Sequence, residues 1–341
     1  METVLTVIIG LLLLTAFVVI HEWGHFFVAK KCGIEMQEFS IGFGPKLISR
    51  KGKDGMQYFL RAILFGGYVK FAGEDDDPEN NALNRASLKD RCLTVVAGAA
   101  MNFVTAFVLA VIFLSVFGGS LPAIDKVMPG SSAEKCGVQS GDVITEMNGV
   151  RIDMFEDLTY AIDAGNGSEM TLTVIRGDSE EHFEIPYELQ EDGSYKVGLN
   201  GFNAVKCSYS FVESVGLSFK WLGMFVKELF SALGAVFTTP TGITNLAGPV
   251  GTISIIGEAA RMGAESMLRL ASLISINLAV INLMPIPALD GGKLLMYAIE
   301  AIRKKPVSQK VEAGITVIGF LAIIGFAIIL TVQDVARLAG G

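Results

Sequence analysis

Three histidines occur in the 341-residue chain, and two of them stand in His21-Glu22-Trp23-Gly24-His25. On a helix, positions i and i+4 face the same way with Cβ atoms roughly 5–6 Å apart. Both imidazoles can therefore bind one metal ion, and the glutamate directly after the first histidine can reach a water on that ion. This is the H-E-x-x-H arrangement of zinc hydrolases, with Glu as general base. Zinc lowers the pKa of its bound water from about 15.7 to about 7, so a nucleophile is available at neutral pH without a reactive serine or cysteine. The bland alternative is a chance match on an ordinary helix. Against it, an ionisable residue at mid-helix in lipid costs roughly 2.5–3.5 kcal/mol and usually marks a functional site. His182, the remaining histidine, falls in a strand-like run and reads as a surface residue.

Two histidines leave a catalytic zinc site short of its usual three protein ligands. The strongest candidate for the third is Asp290, in Asn282-Leu-Met-Pro-Ile-Pro-Ala-Leu-Asp-Gly-Gly292. Pro285 and Pro287 each remove a backbone donor and break a helix. Irregular backbone at membrane depth is tolerated only where it lines a cavity or is buried in protein. A helix that simply ends at the interface, with Asp290 solvated, is the competing reading.

The elements that must position these residues are apolar. Half of the residues are hydrophobic and only 18% are charged. An α-helix crossing the hydrocarbon core needs about 20 mostly apolar residues. The runs 93–117, 270–289 and 314–332 meet that standard, and a fourth, 4–29, carries the histidine motif. That first run has no basic leader and no small-x-small cleavage site, so it is expected to be a retained helix. Residues 30–91 hold 11 Lys/Arg, whereas residues 120–209 hold 6 against 16 Asp/Glu. The link after the third run carries Arg303, Lys304, Lys305 and Lys310. The positive-inside rule then puts the first and third links in the cytoplasm and the acidic stretch outside. Counted from Lys30 at 1.5 Å per residue, His25 lies about 7–8 Å from the cytoplasmic end.

The expected organisation is a polytopic α-helical membrane protein with four transmembrane helices, a membrane-associated β-hairpin and one extracytoplasmic α+β domain. Its parts are transmembrane helices at 1–29, 92–117, 268–290 and 311–333, and a cytoplasmic-side loop with a β-hairpin at 30–91. A small domain at 120–203 and amphipathic, interfacial helices at 210–262 complete it. Within 30–91, residues 39–46 read as a glycine-punctuated loop, and the aromatic and β-branched residues around Gly66-Gly67 resemble a hairpin over 56–70. In 210–238, Glu213, Lys220 and Lys227 recur at seven-residue spacing, which suits a helix lying at the membrane surface. Cys32, Cys92, Cys136 and Cys207 show no C-x-x-C spacing and make poor evidence for a metal site.

His-Glu-x-x-His in a first transmembrane helix, with Asn-x-x-Pro-x-Pro-x-Leu-Asp-Gly in a later one, resembles the site-2 protease family of intramembrane metalloproteases, in particular its bacterial RseP/RasP-type branch. Residues 39–46, Phe65-Gly-Gly-Tyr-Val-Lys70 and Leu246-Ala-Gly-Pro-Val-Gly251 fit that branch too. The resemblance implies that His21, His25 and Asp290 bind one Zn2+, that Glu22 is the base, and that Asn282, Pro285 and Pro287 help place the substrate. The second span of the family carries Gly-Pro-x-x-Asn. Here it reads Gly98-Ala-Ala-Met-Asn102, so Asn102 keeps a substrate-positioning role without the proline. Gly137-Val-Gln-Ser-Gly-Asp-Val-Ile144 and Asn148-Gly149 resemble a PDZ domain of the bacterial protease type, which implies a peptide ligand added at a sheet edge or a steric filter. The implied activity is hydrolysis of peptide bonds in transmembrane segments of single-pass proteins, such as anti-sigma factors or signal-peptide remnants, in a bacterial cytoplasmic membrane. The 56–70 edge would hold the unwound substrate. A metal transporter would need further ligands along the other spans, and an inactive scaffold would be expected to lose part of the motif. The expected partners are transmembrane substrates and the bilayer, not nucleic acid.

Overall fold

No proline precedes Pro45, and the first apolar run winds without interruption into α1 (Glu2–Lys31) in this computed structural model. The structure describes residues 2–53, 55–75, 81–165, 168–189, 195–239 and 246–340. Helix α1 ends on Lys30 and Lys31, which favour the negative end of its dipole, and Gly33 takes φ +71° just beyond. Strands β1 (Met36–Lys51) and β2 (Gln57–Phe71) follow as an antiparallel pair. A short α2 (Ala82–Arg85) leads to α3 (Leu88–Phe117), started by Ser87, whose Oγ accepts the Asp90 N–H at 3.2 Å.

The paired strands correct the sequence reading. Residues 56–70 do not fold back at Gly66-Gly67, because 57–71 is one strand whose partner is 36–51. The turn lies between them, where the Gly52 N–H donates to the Met56 carbonyl at 2.8 Å. The stretch 39–46, expected as a loop, is part of β1. Both strands bend at glycines in the left-handed region, Gly42 and Gly44 in one and Gly66 in the other. The bends curl the sheet so that Phe39 faces Val69 on one side and Tyr58 on the other.

The chain divides into two compact units, residues 1–110 with 219–341, and residues 111–218. The second is built on β3 (Gly119–Val127), α4 (Ser132–Lys135), β4 (Val143–Met147), β5 (Val150–Arg151), α5 (Asp157–Asp163), β6 (Glu169–Arg176) and β7 (Ser179–Pro186). The short pair β8 (Glu188–Leu189) and β9 (Tyr195–Lys196) and the long β10 (Leu199–Cys207) complete it. The sheet order is β10-β3-β4-β6-β7, with β5 added beside β4. Alternation in β6 sends Met170, Leu172 and Val174 to one face, where they pack with Ile124, Ile144, Met147 and Ile185. The four cysteines are free thiols.

The remaining helices are α6 (Phe211–Thr238), α7 (Pro249–Met262), α8 (Ala264–Leu283), α9 (Asp290–Arg303) and α10 (Gln309–Gly340). The apolar stretch expected to run from 268 to 290 is therefore shorter at one end. Met284, ahead of Pro285, takes ψ 145° and caps α8, because a residue before proline is disfavoured in the helical region. Among the described residues, four helices are long and apolar enough to cross a membrane: Val7–Lys31, Leu88–Phe117, Ala264–Leu283 and Lys310–Arg337. Helix α7 starts on Pro249, and the buried Asp334 of α10 accepts the N–H groups of Gly248 at 3.2 Å and Gly251 at 2.7 Å. A Cβ on either glycine would lie within 2.9 Å of the Asp334 carboxylate, so the Leu246–Gly251 motif is shaped to admit that side chain.

Candidate metal centre

Helix α1 presents His21 and His25 one turn apart, with ring centroids 4.7 Å apart and planes at 89°. Their Nε2 atoms are 3.1 Å from one another. Asp290 Oδ2 lies 2.9 Å from the first and 3.2 Å from the second. The three atoms thus form a nearly equilateral triangle, delivered by two helices far apart in sequence. Ligand atoms about 2.0–2.2 Å from a tetrahedral zinc ion are separated by about 3.3–3.6 Å, so the triangle, with edges of 2.9–3.2 Å, needs to open by only a few tenths of an ångström to form three corners of such a site.

The hydrogen bonding agrees with that reading. Asp290 Oδ2 is buried and has no hydrogen-bond partner despite its short distances to both rings. Three acceptor atoms that converge without a proton suited to each contact are better matched by a cation than by one another. Glu22 brings its own oxygen within 4.8 Å of the histidine nitrogens. It is the more distant carboxylate, which suits a base acting across the site, whereas Asp290 suits a ligand.

Each member is placed by a specific backbone arrangement. Asp290 is the first residue of α9, where a carboxylate is favoured by the unpaired N–H groups and the dipole. The break before it is tight: Ala288 takes φ +76°, and a Cβ on Gly292 would lie 2.5 Å from the Ile286 carbonyl oxygen. Pro285 and Pro287 shape this break, and Pro287 packs on Gly319 of α10. On the opposite side, a Cβ on Gly98 of α3 would lie 2.5 Å from His25 Nε2 and 2.7 Å from His21 Cε1. A Cβ on Gly24 would collide with the Ala97 carbonyl and come within 2.8 Å of Met101 Cγ. Only glycine at both positions lets α1 and α3 approach this closely.

The rings are held from α3 as well. The His25 Nδ1–H donates to the Thr94 carbonyl at 2.8 Å, which leaves Nε2 as the free lone pair. Asn102, fully buried, sets its amide 3.5 Å from His21 Nδ1. Two buried serines of α8 tie it to the same helix: Ser275 Oγ donates to the Asn102 carbonyl and Ser272 Oγ to that of Ala106. Arg91, also of α3, pairs with Glu300 of α9 at 2.5 Å and so ties the helix carrying Asp290 to it.

His21, Glu22, His25 and Asp290 share a cavity of about 390 Å³ with Asn102 and Asn282; Pro285 and Pro287 do not line it. Val69 and Phe71 of β2 and Lys293 of α9 also reach it. Gly67 of β2 lies directly against α1, since a Cβ there would be 3.8 Å from Glu22 Cγ. His182 is remote in role, bonded through Nδ1 to Thr173 Oγ1 at 2.9 Å on an exposed strand. Gly24, Thr94 and Lys293 were not found from the sequence. Gly24 sat in plain view inside the motif, but Thr94 acts through its carbonyl, which every residue has.

A family model described as peptidase family M50 matches residues 9–326. A protein of Clostridium perfringens named as a zinc metalloprotease is 33% identical over 96% of this chain and 98% of its own length. The zinc metalloprotease RasP of Shouchella clausii is 29% identical over 98% of this chain and 99% of its own. The protein Eep of Enterococcus faecalis, named as a protease, is 28% identical over 99% of each.

Proposed function

The chain belongs to peptidase family M50, the site-2 zinc metalloproteases, and on that premise we propose that it hydrolyses peptide bonds within or beside the transmembrane segments of single-pass membrane proteins. The observation that carries this reading is the triangle of His21 Nε2, His25 Nε2 and Asp290 Oδ2, with the Glu22 carboxylate beside it, among helices apolar enough to span a bilayer.

These three residues would hold the ion. Zinc bound there supplies Lewis acidity and a water acidified to a pKa near about 7. Glu22 takes the proton from the attacking water as its oxygen adds to the scissile carbonyl carbon. The same carboxyl then returns the proton to the amide nitrogen as the C–N bond breaks, leaving a carboxylic acid and an amine. Asn282, in the cavity wall, places the substrate, and Pro285 and Pro287 fix the chain that carries it.

A helical substrate must unwind before it can be cut, and its freed N–H and C=O groups need partners. Strand β2 passes beside Glu22, and the edge of residues 67–71 turned away from β1 offers them. Proline at Val69 should slow cleavage of a helical substrate much more than that of an already extended peptide; equal effects would remove the strand from the mechanism. Residues 120–203 form the PDZ-like domain and lie outside a bacterial cytoplasmic membrane, with the metal centre nearer the cytoplasmic face. Labelling of Cys207 by an impermeant thiol reagent in intact cells tests that orientation, and protection from it without permeabilisation would reverse it. Anti-sigma factors and signal-peptide remnants are the substrate types in view, with a peptide ligand for the PDZ-like unit.

The deciding experiment pairs the intact protein with Glu22→Gln, purified in detergent, on a model transmembrane substrate, with bound metal quantified in both. Cleavage by the intact protein alone, with zinc retained in the variant, is the expected result. The loss should be about 10²–10⁴-fold, the usual contribution of a general base. Cleavage that survives in Glu22→Gln would sink the mechanism.

A further inference from the structure

Thr94, Gly98 and Asn102 lie four residues apart on α3 and so form one stripe along the helix. The middle position is the gap into which both imidazoles fit. The position one turn before it holds His25 through a carbonyl at 2.8 Å. The position one turn after it brings the Asn102 amide to 3.5 Å from His21 Nδ1, the outer limit of a hydrogen bond. The two histidines are therefore addressed by the same helix, one turn to either side of Gly98.

The two ends of an amide side chain are distinguished by their hydrogen bonds. If Nδ2–H faced His21, Nδ1 would have to accept, and the neutral ring would carry its proton on Nε2. That nitrogen points at His25 Nε2 and Asp290 Oδ2 and could not then bind a cation. If Oδ1 faces His21, Nδ1–H donates to it and the Nε2 lone pair is free. Metal-ligating histidines almost always donate their other ring N–H to an acceptor of this kind. The structure sets Nδ2 at this 3.5 Å and leaves Oδ1 buried without a partner; exchanging the two ends of the amide turns Oδ1 to the His21 Nδ1–H.

We propose that Asn102 is a positioning residue for the metal centre: its Oδ1 accepts His21 Nδ1–H, fixes the tautomer and aims Nε2 at the ion, as the Thr94 carbonyl does for His25. This rests on the assignment of His21, His25 and Asp290 as ligands. It gives Asn102 a task on the protein's own side of the site, distinct from contact with substrate.

The test measures zinc affinity of the full-length protein in detergent by chelator competition, and the visible spectrum of the cobalt(II)-substituted protein. Asn102→Leu, close in size but without an acceptor, should weaken zinc binding by about 10–100-fold, the usual effect of losing such a partner, and should shift the cobalt bands. Asn102→Asp keeps an acceptor at the same place and should restore both. Asn102→Ala cannot overpack the helix contact and reads the same loss if leucine is not accommodated. Zinc affinity and cobalt spectrum unchanged in both Leu and Ala variants, with cleavage lost, would overturn the proposal and return Asn102 to the substrate. His21→Ala separates the two levels. If it leaves zinc affinity intact, the ligand assignment fails; if it abolishes binding while the Asn102 variants do not, only the role of Asn102 fails.

Discussion

The sheet of the second unit and the wall of the metal centre treat buried polar groups in opposite ways. In residues 111–218, Asp142 is almost fully buried and accepts two N–H groups of Arg176 at 2.7 Å and the Gln139 N–H at 2.9 Å. Asp157, equally buried, accepts the Asp153 and Met154 N–H groups at 2.8 and 3.1 Å. At the metal centre, Thr94 Oγ1, Asn102 Oδ1 and Asp290 Oδ2 are buried and without hydrogen-bond partners. A satisfied polar group specifies a fold. A cluster of unsatisfied ones around a cavity is tolerated where a ligand completes it. The contrast separates residues kept for folding from residues kept for chemistry better than burial alone, since both sets are buried.

That contrast can be broken most severely at Gly98. Gly98→Val should displace both imidazoles, abolish activity and strip zinc from protein that still purifies as a monodisperse species. Full zinc content in that variant would mean that α3 does not form the wall of the site. Next in size is Asp157→Ala, which orphans two backbone donors in the other unit. It should destabilise residues 111–218 by roughly 2 kcal/mol, read by hydrogen exchange in the intact protein, with zinc content unchanged. A loss of zinc there would show that the two kinds of polar group are not separable.

The smallest effect is expected in the curled sheet, where Glu38 receives Arg61 Nη2 at 2.5 Å and the Tyr68 hydroxyl. Burial alone would raise the Glu38 carboxyl, but the bonds from Tyr68 and Arg61 outweigh it and hold it below the ordinary carboxylate range. A depressed folded-state pKa gives stability that is complete above the unfolded value of about 4.3 and is lost as pH falls through the lower folded one. Hydrogen exchange in β1 and β2 should therefore be insensitive to this pair above about pH 5 and accelerate on acidification below that. Glu38→Gln should remove most of that acid dependence, and an unchanged acid profile in the variant would deny the carboxylate that role.

What the sequence revealed follows from what side chains can encode. His21, Glu22 and His25 were legible because helical spacing alone brings them together. Asp290 was legible through the two prolines that break the helix before it. The curled sheet was misread because Gly66-Gly67 looks like a turn. Its glycines serve instead to bend a long strand, with Gly66 under the Phe43 ring and Gly67 against α1. The true turn has Gly52 and Gly55, a weaker signal in a lysine-rich stretch. Thr94 was invisible because its carbonyl does the holding. Gly98 was visible as a residue, but not as the floor beneath two rings.

The clasp of Asp334 on the start of α7 has a mechanical consequence. Drawing α10 away from α7 within an apolar environment would strand a carboxylate and the Gly248 and Gly251 amides at once, with no water to receive them. Such a joint resists shear far more than a seam of aliphatic side chains does. Helices α7 and α10 are therefore costlier to part at this joint than two helices joined by aliphatic side chains alone.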